Sequence, residues 1–295
     1  MVFPAKNEPT PEKVALGKAL FFDKNLSLDS SIACTTCHLP ELAFTDGHVV
    51  SPGIYGRLGK RNTPSLLNAG YLDLVNKDGG VKRLDLQALV PIEDENEMGI
   101  SILSLSDRLS QNSAYQKLSQ EAYGENISPK TISHALASFV RTLLSTDTPY
   151  DNYLAGDSSA LPPSAKRGLA LFESNELNCR ACHGGFNFTE NAFENNGLHE
   201  NYKDLGRALI TLDSLDHGKF RVPSLRNVTI TAPYMHDGSL GTLEQVIDHY
   251  EQVGQEPRRG QSKKIKPFAL STQQRDDLLA FLHALTDNIY AAEVP

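Results

Sequence analysis

Apolar side chains recur every three or four residues in two stretches that lie far apart in the chain. HALASFVRTLLS (134–145) and DLLAFLHALTD (277–287) share this spacing, which places the apolar side chains on one face of a helix. Alternation of apolar and polar residues, the sign of a half-buried strand, is sparse elsewhere. The pattern predicts an all-α protein with long irregular loops.

The two helical stretches close two halves of a sequence that repeats itself. LGKALFF (16–22) stands early in the first half and RGLALFE (167–173) early in the second. Further on, TPSLLN pairs with VPSLRN, and an Asp-Gly follows the proline of each by fourteen residues. Such self-similarity indicates an internal duplication, in which each half begins and ends with a helix.

The duplication predicts where the helices cross and where the chain divides. We expect the first and last helices of each half to cross at a glycine and an aromatic ring: Gly17 with Phe139, and Gly168 with Phe281. The segment 149–163 has the turn-rich composition of a linker. We therefore place the boundary near residue 155, which gives domains 1–155 and 156–295.

All four cysteines lie in two CxxCH motifs, Cys34, Cys37 and His38, and Cys179, Cys182 and His183. Disulfides would leave the histidines unexplained, a four-thiolate zinc site needs no histidine after each pair, and a thioredoxin-type pair follows a strand. Attachment of a c-type haem uses all three residues, because each thiol adds across a haem vinyl group and the histidine binds the iron. The motifs predict two covalent haem c groups, each in a cytochrome c-like half.

Composition and charge narrow the class of protein. The 295 residues contain no apolar run near the roughly 18 residues that a membrane helix needs. The net charge of −8 argues against nucleic acid as a partner and permits a basic protein partner. The start, MVFPAKNEPTPEK, lacks the features of a signal peptide. Because covalent haem attachment implies export to an oxidising space, we expect a mature periplasmic chain whose leader has been removed.

The two halves differ in residues that could bind iron. Thirteen residues after each Asp-Gly aspartate stands Pro91 in the first half and Tyr250 in the second. Proline has no side chain that binds iron, whereas a tyrosine phenol can do so. The difference predicts one haem with an open sixth position, suited to peroxide, and one that is capped. Near Pro91 lie Gln87 and Glu97, and a carboxylate in a haem pocket can transfer protons during peroxide cleavage.

These stretches together resemble the bacterial diheme cytochrome c peroxidase family, including its MauG-like branch. The matching stretches are LGKALFFD, CTTCH, RNTPSLLNA, LDLQALVPI, NEMG, CRACH and FRVPSLRNVTITAPYMHDGSLGTLEQVIDHY. The resemblance implies that the haem on His38 is peroxidatic, that Glu97 is its acid/base residue, and that Gln87 and Pro91 line its distal pocket. It also implies an electron-transfer haem on His183 with Tyr250 as distal ligand. Met235 is a rival ligand, disfavoured because it aligns with the PYMHDG loop.

The resemblance further implies a calcium ion, and this chain departs from the family in two places. Asn62, Thr231 and Pro233 fall at the positions whose oxygen atoms bind the calcium, as suits a hard cation. The loop SPGIYG has no histidine where many members use one to close the first haem, and His48 is expected to be an ordinary loop residue. Lys77 replaces the usual inter-haem tryptophan, so we expect the coupling between the haems to use other groups or to be weaker.

The sequence supports an oxidoreductase that uses hydrogen peroxide at the first haem and shares oxidising equivalents with the second. The redox partner is a small cytochrome, a copper protein or a protein substrate. The alternative is a non-enzymatic diheme electron carrier, which would have two six-coordinate haems. A zinc-stabilised structural protein is a third and weaker alternative.

Overall fold

A computed structural model describes residues 7–289 of the chain, which fold into two compact units. The first unit contains residues 7–75 and 81–144, and the second contains residues 76–80 and 145–289. Residues 1–6 and 290–295, which belong to the two predicted domains, lie outside the described part. Within residues 7–289, no helix is both long enough and apolar enough to span a bilayer.

Most of the regular structure in residues 7–289 is α-helical. Six helices precede the terminal helix of the first unit: α1 (Pro11–Phe22), α2 (Cys34–Cys37), α3 (Leu84–Gln87), α4 (Leu89–Glu93), α5 (Ile102–Ser110) and α6 (Ser113–Tyr123). The remaining helices are α7 (Pro129–Val140), α8 (Pro149–Leu154), α9 (Pro163–Phe172), α10 (Ala208–Thr211), α11 (Leu243–Gln255) and α12 (Thr272–His283). A small antiparallel sheet pairs β1 (Phe193–Glu194) with β2 (Phe220–Arg221). The predicted helix-rich class is confirmed.

The first unit is built around the crossing of α1 and α7. A Thr10 cap and Pro11 begin α1, whose Leu16 and Leu20 are fully buried. At Gly17 a Cβ atom would overlap the carbonyl group of Ala135 and press on Cβ of Phe139. Only glycine therefore permits this close approach, and the predicted crossing of Gly17 with Phe139 is confirmed.

The second unit has a matching crossing of α9 and α12. A Cβ atom at Gly168 would overlap the carbonyl group of Asp277 and lie 2.8 Å from Cβ of Phe281. The Phe281 ring is fully buried and packs on Phe172 at a centroid distance of 5.1 Å. This crossing was also predicted and is confirmed.

Both terminal helices begin and end before the predicted ranges. Helix α7 begins after Ser128 and α12 after Ser271, because a capping box satisfies the first backbone N–H groups of each. They end at Val140 and His283, and not at residues 145 and 287. The apolar pattern continues past both ends because the following residues pack without helical backbone, as fully buried Leu285 does.

The chain divides about ten residues before the boundary placed near 155. The first part of the expected linker forms α8, which a capping box between Thr148 and Asp151 begins. Asp151 forms two hydrogen bonds of 2.8 Å with Arg226, so α8 belongs to the second unit. The turn-rich composition of 149–163 predicted a linker, but its first part is a short helix that its cap and this ion pair stabilise.

Two Asp-Gly turns are built alike. Antiparallel bridges join Val75 to Val81 around the first turn and Tyr234 to Leu240 around the second. The glycine of each turn has a positive φ, +72° at Gly79 and +68° at Gly238, which glycine adopts without strain. The repeated sequence motifs therefore form the same local structure at both places in the chain.

Candidate haem sites

The first CxxCH motif folds as one helical turn that fixes the histidine ring. Cys34 and Cys37 lie on α2, and the His38 N–H donates to the Cys34 carbonyl at 2.9 Å. Nδ1 of His38 lies 2.8 Å from the Phe44 carbonyl oxygen. Because a carbonyl only accepts, Nδ1 carries the proton and Nε2 carries the lone pair. Burial lowers the pKa of His38, so the ring is neutral and suited to bind iron.

The thiols of this motif are held in their protonated form. Burial raises the pKa of Cys34 to about 12, with a further contribution from Cys37 and Glu97. Burial also raises the pKa of Cys37 to about 11. All four cysteines of the chain are free thiols. Neutral thiols without a disulfide suit addition to a vinyl group better than a zinc–thiolate site, which needs the ionised form.

The second motif reproduces this arrangement in the second unit. The His183 N–H donates to the Cys179 carbonyl at 2.9 Å, and Nδ1 lies 3.1 Å from the Phe188 carbonyl oxygen. Burial lowers the pKa of His183 and raises that of Cys179 to about 12. Burial also raises the pKa of Cys182. Nε2 of His183 is again the nitrogen left to bind iron.

Glu97 lies near the first motif, on a turn that backbone hydrogen bonds stabilise. Its N–H donates to the Asp94 carbonyl at 3.0 Å, and its own carbonyl accepts from the Ile54 N–H at 2.9 Å. The side chain is accessible to solvent, yet the protein around the carboxyl group removes enough water that desolvation raises its pKa to about 7, with help from Asp94. The negative charge of Glu97 in turn raises the pKa of both thiols of the first motif. The structure therefore places a carboxyl group with a near-neutral pKa beside Cys34 and Cys37.

Gln87 and Pro91 lie on the segment that leads to Glu97. Gln87 ends α3, Pro91 lies in α4, and Ala88 between them keeps helical backbone angles. Their separation of four residues places them on the same helical face. The Pro91 carbonyl accepts from the Met98 N–H at 3.0 Å, which joins this segment to the Glu97 turn.

Tyr250, the residue expected to bind the second haem, lies in the second unit. It lies on α11, where desolvation raises the pKa of its phenol to about 12 and a hydrogen bond with the Asn196 side chain opposes the rise. Cys182 and Cys179, once ionised, would also raise the pKa of the phenol, which places it near the second motif. Met235 instead accepts a hydrogen bond at its sulfur from Asn196 Nδ2 at 3.1 Å.

The two departures from the family pattern concern the SPGIYG loop, with His48 before it, and Lys77. His48 is an exposed loop residue, as predicted, and its carbonyl accepts from Asn62 Nδ2 at 3.0 Å. Tyr55 in the SPGIYG loop is 66% exposed and has a positive φ of 56°. In the second unit, Lys77 Nζ donates to the Met235 carbonyl at 3.3 Å. The Lys77 side chain is therefore hydrogen-bonded to the PYMHDG loop.

The three residues expected to bind calcium lie in different units. Asn62 is buried in the first unit. In the second unit, the Thr231 hydroxyl donates to the Val228 carbonyl at 3.2 Å, and Pro233 follows a cis peptide bond. These contacts describe each residue within its own unit and leave the calcium site a prediction.

Two site residues were missed by sequence reasoning. Asn196, which contacts both Tyr250 and Met235, has no motif that identifies it.

Arg221 lies in the FRVPSL stretch, where its position two residues before Pro223 was the available signal. Desolvation lowers the pKa of Arg221 to about 10, and among residues 7–289 no carboxylate forms an ion pair with it. Its charged side chain contacts the Asn76 carbonyl, 3.3 Å from Nε.

These features fit a haem in each unit. Each motif offers two neutral thiols and a neutral imidazole whose Nε2 carries the lone pair. The residues present therefore match the donor set of a covalently attached haem.

Known proteins align with almost the whole length of this chain. A family model described as di-haem cytochrome c peroxidase matches residues 11–159. The methylamine utilization protein MauG of Methylophilus methylotrophus is 40% identical over 299 residues, which cover 99% of this chain and 88% of that protein. The cytochrome-c peroxidase IdrP1 of Denitromonas iodatirespirans is 35% identical over 317 residues, covering 96% and 84%. The crystal structure of a MauG-like protein associated with microbial copper homeostasis aligns with a TM-score of 0.91 at 35% identity, covering 97% of this chain and 92% of that chain.

Proposed function

The chain belongs to the di-haem cytochrome c peroxidase family, and from this premise we propose that its first unit reduces hydrogen peroxide at a haem held by Cys34, Cys37 and His38. It is a di-haem oxidoreductase that acts with hydrogen peroxide. We further propose a role in this reaction for individual residues of each unit. We also propose that the chain is an internal duplication of a cytochrome c-like unit, with one covalent haem in each copy.

In this proposal the second unit holds a haem of a different kind. Cys179 and Cys182 would attach it, and His183 and Tyr250 would be its iron ligands. The support is that the Tyr250 phenol lies close enough to both cysteines of this motif for their ionised forms to raise its pKa. Its raised pKa keeps the phenol protonated in the protein, so binding to iron would release the phenolic proton.

Glu97 moves the protons of the reaction. When bound, the haem of the first unit supplies an iron that accepts peroxide and passes on the two electrons that cleave its O–O bond. The Glu97 carboxylate would take a proton from one oxygen of hydrogen peroxide and return it to the other oxygen, which leaves as water. With a pKa of about 7, both forms of the carboxyl group are populated at neutral pH, so one residue accepts and then donates.

The observation that carries the proposal is the position of Glu97. Its carboxyl group is close enough to Cys34 and Cys37 to raise the pKa of both thiols, and it has a near-neutral pKa of its own. Glu95, in the same run, has a side chain that is 82% exposed. A carboxyl group with a raised pKa beside a reaction centre is typical of an acid/base catalyst.

The electrons come from outside the chain in this proposal. The donor is a small cytochrome, a copper protein, or a protein whose side chains are oxidised, and the haem of the second unit relays them. We also propose a calcium ion bound by Asn62, Thr231 and Pro233, and a periplasmic location, because haem c attachment takes place in an oxidising compartment.

The test is the substitution Glu97→Gln, with Glu95→Gln as matched control. Both variants lose one carboxylate from the same loop, and both should retain two haems by absorption spectroscopy. In stopped-flow experiments we expect Glu97→Gln to react with peroxide about 10²-fold more slowly, as for loss of a general acid/base group, and Glu95→Gln at the wild-type rate. An unchanged rate in Glu97→Gln, with both haems present, would show that the proton-transfer assignment is wrong.

A further inference from the structure

Three metal-binding side chains converge in the second unit, away from the CxxCH motifs. His199, His236 and Asp237 each present one ligand atom, and these atoms all lie within 4.8 Å of one another. Asp237 and His236 belong to the PYMHDG loop, and His199 follows the β1 strand in the chain. None of the three has a part in the proposed haem chemistry.

The carboxylate of Asp237 is oriented by contacts on both of its oxygens. Oδ1 accepts from the Ser239 N–H at 3.1 Å, and Oδ2 lies 2.8 Å from Nε2 of His199. The bridge between Tyr234 and Leu240 holds the loop that carries it. The atom pair Nε2 and Oδ2 is therefore placed as two neighbouring ligands by the fold.

The ring of His236 is fixed beside this pair. It stacks on Phe220 with a centroid distance of 3.9 Å and an angle of 18° between the planes, and its centroid lies 5.7 Å from that of His199. Burial lowers the pKa of His236 to about 4, so the ring is neutral near pH 7 and has a lone pair to offer. Asp237 and Asp204 favour a cation at His236, whereas Lys77 and His199 oppose one.

We propose that His199, His236 and Asp237 bind a divalent transition metal ion of the zinc type. Two imidazole nitrogens and one carboxylate oxygen are a donor set that such ions prefer. In a tetrahedral zinc site neighbouring ligand atoms are about 3.3 Å apart, since zinc bonds to nitrogen and oxygen are near 2.0 Å. The present separations, from 2.8 Å to at most 4.8 Å, bracket that value, so small side-chain rotations form the site.

The surroundings supply a fourth ligand and exclude calcium. An open pocket of about 460 Å³ reaches the cluster at His199 and is also lined by Ser239, Leu240 and Asp248. Water from this pocket completes a four-coordinate ion. Calcium takes six to eight oxygen ligands, which one carboxylate and two imidazoles do not provide. This site is therefore distinct from the calcium site proposed above.

A structural pair of His199 and Asp237 that only ties the loop would explain their hydrogen bond. It would not explain why the neutral ring of His236 is held beside that pair. The two interpretations differ in a measurable way, because only the metal site makes all three side chains act together on a bound ion.

The test is a calorimetric titration of the holoprotein with Zn²⁺ in calcium-saturated buffer. We expect about one Zn²⁺ per chain, with affinity reduced about tenfold or more in His199→Ala and in Asp237→Asn. His48→Ala, which removes an exposed histidine of the first unit, should bind Zn²⁺ as the wild type does. Equal binding by His199→Ala and the wild type, or no binding by the wild type, would overturn the proposal.

A second measurement covers the case in which a variant loses its haems or unfolds. X-ray absorption at the zinc edge of the wild-type complex should show two imidazole nitrogens with further light ligands at about 2.0 Å and no sulfur. A zinc–sulfur distance near 2.3 Å, or a first shell without imidazole, would contradict this site.

Discussion

At the scale of single residues, the chemistry depends on the water that surrounds each ionisable group. Glu97 and Glu95 are chemically identical and two positions apart, yet desolvation raises the pKa of Glu97 to about 7 while the Glu95 side chain is 82% exposed. Tyr250 is likewise one tyrosine among ten, set apart by the Asn196 side chain and by the cysteines near it. The same residue type thus acquires different roles through its environment.

The raised pKa of Glu97 predicts how the reaction with peroxide depends on pH. The carboxylate form accepts the first proton, and its fraction increases as the pH rises through about 7. We expect the second-order rate constant for peroxide to increase between roughly pH 6 and 8 and to level off above. Glu97→Gln should lose this rise, and a rise that persists in the variant would assign it to another group.

Tyr250→Phe should change the second haem alone, since the substitution removes the phenol oxygen and keeps the ring. We expect altered signals of one ferric haem in electron paramagnetic resonance, with the high-spin component of the other haem preserved. Tyr153→Phe, at a residue of α8, is the matched control and should leave both signals unchanged. If Tyr250→Phe leaves every signal as it was, another group binds the second iron.

At the scale of elements, each unit depends on two helices that approach at a glycine. The side chains around the crossings are closely packed, so even one added methyl group has no space. The capping boxes before α7 and α12 fix where these helices begin, which in turn aligns Phe139 with Gly17 and Phe281 with Gly168. Helix ends and helix contacts are therefore linked in both units.

Gly17→Ala and Gly168→Ala should each destabilise the protein by about 1–3 kcal/mol, as overpacking of a core does. A Cβ atom at either position would overlap a backbone carbonyl group, so the backbone has to shift. Thermal unfolding should show a midpoint lower by several degrees. Gly59→Ala is the control, since a Cβ there meets its nearest atom at 3.5 Å, and its midpoint should stay at the wild-type value. Unchanged midpoints in the two test variants would mean that the crossings tolerate a wider spacing.

At the scale of the whole molecule, net charge governs the encounter with a redox partner. The chain carries 36 acidic and 28 basic side chains, a formal charge of −8. Such a charge attracts a basic donor protein over a distance set by the salt concentration. It guides association and does not specify which donor is used.

Reduction of the enzyme by a basic small cytochrome should therefore slow as salt is added. We expect the second-order rate constant to fall about tenfold between low salt and about 0.2 M, because ions screen the attraction. An acidic copper protein offered as donor should show no such fall. A rate for the basic donor that is independent of salt would place the contact on a surface without net attraction.

The sequence by itself determined what short-range covalent and periodic patterns encode. Two CxxCH motifs predict haem attachment through the spacing of three side chains, and apolar periodicity with paired glycines predicted both helix crossings. The family followed from the same motifs, and the comparisons confirm it.

Only the tertiary structure decided features that depend on distant residues meeting. The pKa of Glu97 depends on the protein packed around its carboxyl group. The assignment of α8 to the second unit depends on the ion pair between Asp151 and Arg226, which are 75 residues apart. The cluster of His199 with His236 and Asp237 joins segments 37 residues apart. Desolvation and through-space contacts depend on which residues lie close in space. The order of residues in the sequence does not show which residues these are.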